Sequence, residues 1–241
     1  MKIIECVPNF SEGRDTALIK EITDAIESVS GITLLDVDPG IDTNRTVVTM
    51  VGDPESIIEA AFLGIKKGSE LIDLRNHGGA HARMGATDVC PFVPISETSM
   101  DDCIKYSKIL AKRVGAELNI PVFLYEFSAA TIDRINLANI RVGEFEGMAD
   151  KLQLPQWKPD YGPGKPHETA GVTAIGARNF LIAYNLNLNT KDKKIAADIA
   201  LDIREQGRNK RDENGKFVRD EKGIPIKVPG ILKSCKAVGW Y

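Results

Sequence analysis

The sequence predicts an α/β chain of the α+β kind: a mixed β-sheet with helices packed on one face, ferredoxin-like βαββαβ elements, and two subdomains. Three observations carry this. Amphipathic segments of helical period alternate with short β-branched runs through the first half of the chain. Two strands follow one another directly, Ile32 to Asp38 and Thr46 to Val51, which breaks strict β-α alternation and argues against a doubly wound parallel sheet. A stretch rich in glycine and proline, Ile140 to Pro166, then precedes another β-α unit that opens near Arg178. The expected division is residues 1–177 and 178–241.

Each element has a local reason. Lys2 to Val7 reads as a strand stopped by Pro8-Asn9. Ser11 and Asp15 are both plausible caps for a helix whose apolar face is Leu18, Ile19, Ile22, Ala25, Ile26 and Val29, and Gly31 ends it. Pro39-Gly40 turns the chain between the two successive strands. Asp53 caps the second helix, with Pro54 at its first position. Leu71 to Leu74 reads as a short strand. Asn76 to Thr87 fits neither a helical nor a strand period and is expected to be a loop, leading into a buried strand from Asp88 to Val93. Ser99 caps a third helix, and Ile120 to Phe127 is a strand. A short helix is expected at Phe145 to Leu152, a strand at Arg178 to Leu188, and a helix from Lys191 to Gln206 capped by Thr190. Arg208 to Lys222 is charge-dense and contains the hairpin-turn pair Asn214-Gly215.

Composition narrows the function. The 241 residues are 43% hydrophobic and 27% charged, ordinary for a soluble globular protein. With 31 basic against 34 acidic residues there is no basic surplus of the kind nucleic-acid binders carry. No stretch reaches the length of a membrane span, and the first apolar run is too short for a signal peptide. Cys6, Cys90, Cys103 and Cys235 form no Cys-x-x-Cys pair and read as reduced, mostly packed thiols, so a cytoplasmic location is expected.

The loop from Asn76 to Thr87 is the leading functional candidate. It holds His77, His81 and Arg83, separated by Gly78, Gly79 and Gly85, with Asp88 just beyond. An imidazole titrates at about 6.5, so His81 suits a proton carrier; the plainer reading is a loop histidine bonded to a backbone carbonyl. No helical His-Glu-x-x-His pattern supports a metal. Asp38 ends one strand and Arg45 opens the next, a place for either a ligand crevice or a solvated turn. Arg45 and Arg83 suit a carboxylate-bearing ligand, since a guanidinium forks to a carboxylate. Trp157 and Tyr161 suit either stacking on a flat ring or core packing.

Longer motifs then add what spacing does not. Glu5-Cys6-Val7-Pro8-Asn9-Phe10-Ser11-Glu12-Gly13, Leu34-Leu35-Asp36-Val37-Asp38, Asn44-Arg45-Thr46-Val47, the segment His81-Ala82-Arg83-Met84-Gly85-Ala86, Phe180-Leu181-Ile182-Ala183-Tyr184-Asn185 and Gly239-Trp240-Tyr241 together resemble the glutamate formimidoyltransferase family, in the same order over nearly the whole chain. The resemblance implies transfer of a formimidoyl group from N-formimidoyl-L-glutamate to N5 of tetrahydrofolate, in histidine degradation, by a homodimer whose substrates are small molecules. It implies His81 as the catalytic residue. Asp38, Arg45 and Arg83 are then the expected substrate-binding residues, Asp38 orienting or charging His81 and the two arginines holding carboxylates of the glutamyl donor or the folate tail. The resemblance also implies tetrahydrofolate as acceptor and a folate-contacting stretch Gly162-Pro163-Gly164-Lys165-Pro166-His167-Glu168-Thr169-Ala170-Gly171; the transfer chemistry itself needs no metal, and none is expected. The family's Pro after the catalytic His is Ala82 here. Two alternatives stand beside this reading: an N-formylglutamate donor, or a folate-binding module without turnover.

Overall fold

A computed structural model of the chain describes residues 2–182, 184 and 186–239. The chain forms two compact units, Met1–Leu181 and Ile182–Tyr241. In the first, the elements run β1 (Ile3–Cys6), β2 (Asn9–Phe10), α1 (Thr16–Glu27), β3 (Ile32–Gly40), β4 (Arg45–Gly52), α2 (Pro54–Leu71), β5 (Thr87–Ser96), α3 (Met100–Glu117), β6 (Val122–Glu126), α4 (Leu137–Arg141), α5 (Glu144–Lys151) and β7 (Thr173–Ala177).

β1 and β2 are two pieces of one interrupted strand. Both lie between β4 and β5, antiparallel to each. Among the described residues β3 pairs only with β4, at one edge, while β7 joins β5 in parallel and β6 joins β7 in parallel. The strands up to β5 thus take the ferredoxin-like order, and the parallel pair extends the sheet. Helix starts follow local chemistry. Asp15 caps α1, Asp53 caps α2 with Pro54 behind it, and Ser99 with Asp102 forms a capping box on α3. Ser11, the other cap candidate, instead bonds the Gly85 carbonyl.

Strand alternation sorts the two sheet faces. Ile4, Cys6, Val48, Met50, Cys90 and Phe92 are fully buried and form one core with Ile22 and Ile26 of α1, Ile57 and Ile65 of α2, and Leu110 and Val114 of α3. The second face carries Val89, Phe123, Tyr125 and Ala174, packed with Ile140, Met148 and Leu152 of the α4–α5 segment. Trp157 belongs here too, edge-on to Phe123 at 6.1 Å, and Tyr161 packs on the first core. Both aromatics therefore pack. Lys151 holds α4 in place: its ammonium donates to the carbonyls of Asn139 (2.6 Å), Ile140 (2.7 Å) and Val142 (3.0 Å), which satisfies the end of that short helix.

Several expectations need correction. Leu71 to Leu74 is not a strand. α2 runs through Leu71, the Ile72 amide closes its last turn on Gly68, and Leu74 is a buried anchor in a 3-10 turn. A four-residue apolar run does not distinguish a helix end from a strand. Helix α1 is capped at Ser28, and Gly31, at φ +88°, makes the following turn. Among the described residues of Arg178 to Leu188 there is no strand. The Arg178 amide makes a last ladder bond to Phe92, and Phe180, Leu181, Ile182, Tyr184 and Leu186 are exposed. Ala183, Asn185, Trp240 and Tyr241 lie outside the described residues.

In the second unit, α6 (Lys193–Ile203) is capped by Asp192 rather than Thr190, whose hydroxyl instead accepts from the Asp192 amide. β8 (Arg208–Asn209) pairs antiparallel with β9 (Lys227–Val228). Between them the chain turns at Asn214-Gly215, with Gly215 at φ +76°. Among the described residues no helix is long and apolar enough to cross a membrane.

Candidate active site

The histidine loop is built outward from a fixed stem. The Leu74 amide donates to Thr169, and the Asp73 carboxylate caps the 3-10 turn through the Arg75 amide. The chain then leans on the turn between β3 and β4. Asn44, at φ +48°, accepts from the Gly13 amide through its side chain and donates to the Gly78 carbonyl (3.2 Å). The Ala80 amide donates to Asp42. At Gly79 any side chain would collide with the Thr43 carbonyl, so this close approach requires glycine.

His77 is fully committed. Its Nε2 donates to the Asn44 carbonyl (2.9 Å), which fixes the tautomer and leaves Nδ1 to accept from Arg83 Nε (3.3 Å). Arg83 is buried. It donates to Glu146 through Nη1 (2.8 Å) and Nη2 (2.6 Å), to Glu144 through Nη1 (3.2 Å), and to the His77 carbonyl. Its guanidinium thus ties the loop to α5.

His81 stands differently. Its Nδ1 lies 2.6 Å from the Ala82 carbonyl, an acceptor only, so Nδ1 carries the proton and Nε2 keeps its lone pair. Burial pushes its pKa below the ordinary imidazole value, and the nearby Arg45 and Arg141 guanidiniums push it the same way. The Ala82 carbonyl and Asp88 pull partly back. The result is a neutral imidazole at neutral pH whose basic Nε2 has no hydrogen-bond partner among the described residues.

The charges behind it form one cluster. Asp88 is fully buried at the start of β5. Its Oδ2 accepts from Arg45 Nη1 (2.8 Å), Arg141 Nε (2.9 Å) and Arg141 Nη2 (2.6 Å), and its Oδ1 accepts from the Met84 amide (2.8 Å). Burial raises the Asp88 carboxyl, but Arg45 and Arg141 outweigh it and hold it below the usual carboxylate range. Arg45 is further fixed by Asn9 Oδ1, through Nε (3.1 Å) and Nη2 (2.8 Å). Asp38 pairs in register with Val47, two residues along β4 from Arg45, so it shares Arg45's face of the sheet. It is exposed, and its carboxylate makes no hydrogen bond or ion pair among the described residues.

The stretch from Gly162 to Gly171 reaches the same region at its far end only. Gly162, at φ +83°, packs against the Ile120 carbonyl and Gly115 of α3. At the other end Gly171, at φ +66°, bridges Gly85, and the Ala86 amide donates to Ala170. His167 Nδ1 accepts from the Ala170 amide (3.1 Å), and Glu168 pairs with Arg75 (2.7 Å). Gly162, Gly164, Lys165 and Glu168 are exposed.

The structure therefore sets Arg45 close enough to His81 to influence its titration, and places Asp38 on Arg45's face of the sheet. It ties Arg83 to glutamates and runs the 162–171 stretch alongside the loop's exit. Sequence reasoning missed Asn9 and Arg141 as members of the site. Asn9 sits in a recognisable motif, whereas Arg141 has no local signal at all. Among the described residues no group of three or more His, Cys, Asp or Glu could hold a metal ion. A groove of about 240 Å³ between α1 and β3, lined by Thr16, Ile19, Lys20, Thr23, Val37 and Pro39, contains none of the site residues.

Comparison with known proteins follows the same division of the chain. Residues 3–178 match the formiminotransferase domain, N-terminal subdomain, and residues 183–241 match the formiminotransferase domain. A glutamate formimidoyltransferase of Streptococcus pyogenes serotype M1 is 52% identical over 206 residues, covering 86% of this chain and 69% of its own length. A formimidoyltransferase-cyclodeaminase of Dictyostelium discoideum is 47% identical over 241 residues, all of this chain but 42% of its own length. A glutamate formimidoyltransferase of Thermoplasma acidophilum is 48% identical over 206 residues, covering 85% of this chain and 68% of its own length. The chain thus spans less than half of the Dictyostelium relative, and, with residues 3–178 matched, it belongs to the formiminotransferase family.

Proposed function

We propose that this chain transfers a formimidoyl group from N-formimidoyl-L-glutamate to N5 of tetrahydrofolate, with His81 as the proton shuttle. The observation that carries the reading is the state of His81: a tautomer fixed by Ala82, an Nε2 with no partner among the described residues, and a cationic cluster that disfavours imidazolium. N5 attacks the amidine carbon, and Nε2 takes the proton that N5 loses. The same proton then goes to the glutamate nitrogen as the carbon–nitrogen bond to glutamate breaks. One histidine serves both steps, and such acid–base assistance contributes roughly 10²–10⁴-fold. Holding the two substrates together supplies much of the rest.

Asp38 fits the donor's charge. An amidine is protonated at neutral pH, and an unpaired carboxylate on the site's face suits an amidinium better than a neutral formyl amide. Arg45 serves the donor's carboxylates through the cluster it anchors, and Arg83 serves substrate by fixing the loop that carries His81. The stretch 162–171 is the folate-contacting segment of this reading. Homodimer formation, a cytoplasmic location, a place in histidine degradation and a subdomain boundary at residues 177–178 belong to it as well.

Incubation with tetrahydrofolate and either N-formimidoyl- or N-formyl-L-glutamate tests the reading. Turnover with the formimidoyl donor is expected. Turnover with the formyl donor alone would replace the donor assignment, and folate binding without any turnover would replace the enzyme with a binding module.

A further inference from the structure

The cluster behind His81 is out of charge balance. One buried carboxylate, Asp88, faces two guanidiniums, and the other bonds of Arg45 go to the neutral Asn9 amide oxygen. Among the described residues neither arginine has a second acidic partner. A surplus positive charge in a largely buried site is costly unless an anion meets it. Arg141 is the member with capacity left. Its Nε and Nη2 are held on Asp88 and its Nη1 has no hydrogen-bond partner among the described residues. Its side chain is 18% exposed, against 10% for Arg45 and none for Asp88. Lys151 fixes the helix end that carries it. A guanidinium clamped along one edge presents the other as a preset fork, the geometry that receives a carboxylate with two hydrogen bonds.

We propose that Arg141 receives a carboxylate of the glutamyl donor, with Asp88 and Arg45 as positioning residues for its guanidinium. The inference rests on the transfer reading above and names the donor subsite within it. Two substrates of that reaction carry glutamyl carboxylates, and their chemistry separates them. In the donor, a carboxylate lies within a few bonds of the nitrogen that leaves. In the folate, the carboxylates sit at the far end of the molecule from N5. Asp88 accepts from the Met84 amide, three residues along the loop from His81, so the cluster sits beside the bonds that change, and the short donor fits it where the folate tail does not. Binding also neutralises the cluster's surplus charge.

The test titrates L-glutamate and, separately, tetrahydrofolate into the wild-type chain, Arg141→Ala and Arg141→Gln, with thermal unfolding recorded for each. Arg141→Gln keeps a donor for Asp88 and carries the comparison if the alanine variant fails to fold. The expected result is L-glutamate affinity lower by roughly 10–100-fold, with tetrahydrofolate affinity within about twofold of wild type. Glutamate affinity unchanged by either variant, absent from the wild type, or lost in step with folate affinity would overturn the proposal. A loss confined to tetrahydrofolate would assign Arg141 to the folate tail and overturn it equally. Transfer by Arg141→Gln at the wild-type KM for the donor would overturn this subsite and leave the transfer reading standing. Arg141-dependent glutamate binding in a chain without transfer would support the subsite and defeat the transfer reading.

Discussion

His77 and His81 lie four residues apart in one loop, yet the structure treats them as opposites. His77 has both ring nitrogens engaged, one by the Asn44 carbonyl and one by Arg83. It is part of the stem that presses Gly78, Gly79 and Ala80 onto the β3–β4 turn. His81 is partly exposed, with one ring nitrogen on its neighbour's carbonyl and the other without a partner among the described residues. A histidine with every nitrogen spent holds structure; one with a fixed proton and a spare lone pair is available for chemistry. The same residue type at nearly the same place in the sequence thus takes two roles, and the difference is set by partners distant in the chain.

Breaking that contrast starts with His81. His81→Ala is expected to slow transfer by roughly 10²–10⁴-fold while leaving unfolding free energy within about 0.5 kcal/mol, because little packing is lost. Steady-state rates and denaturant melts on the same preparation check both halves. Asp88→Ala is next. It strands the buried Arg45 guanidinium and the half-buried one of Arg141, with an expected stability loss of about 3–5 kcal/mol. In the wild type, Asp88 has a carboxyl pKa depressed by folding, so its contribution is present above about pH 3.9 and is lost as pH falls through the native value. An acid melt of the wild type shows whether that loss occurs below the ordinary carboxylate range.

Smaller effects sharpen the stem's side of the comparison. Gly79→Val forces a side chain into the Thr43 carbonyl and is expected to cost about 1–3 kcal/mol, read as a lowered Tm. His77→Ala removes two hydrogen bonds and is expected to cost about 1 kcal/mol, with transfer reduced far less than in His81→Ala. Equal loss of turnover in the two histidine variants would erase the distinction drawn between them.

Much of the scaffold was legible because its causes are local. Asp53-Pro54 and Ser99 with Asp102 announce their helices through side chains within three residues of the backbone groups they satisfy. The loop was legible from its glycines and broken period. Leu71 to Leu74 and Arg178 to Leu188 were misread because a short apolar run takes its structure from whatever packs beside it. The charge cluster was illegible for the same reason at longer range. Arg45 and Arg141 meet Asp88 from 43 and 53 residues away, and Arg83 meets Glu144 and Glu146 from 61 and 63. No spacing rule reports a contact that only the folded sheet creates.

The most direct measurement is the pH dependence of kcat/KM for formimidoyl transfer, on the wild type and on His81→Ala. Because burial, Arg45 and Arg141 lower the His81 pKa, its base form persists to lower pH than an ordinary imidazole. The expected wild-type profile is flat through neutral pH, with an acid limb whose midpoint lies below about 6.5, and that limb is absent from the residual activity of His81→Ala. A limb centred above that value, or one that survives unchanged in His81→Ala, would contradict the assignment of the proton shuttle to His81.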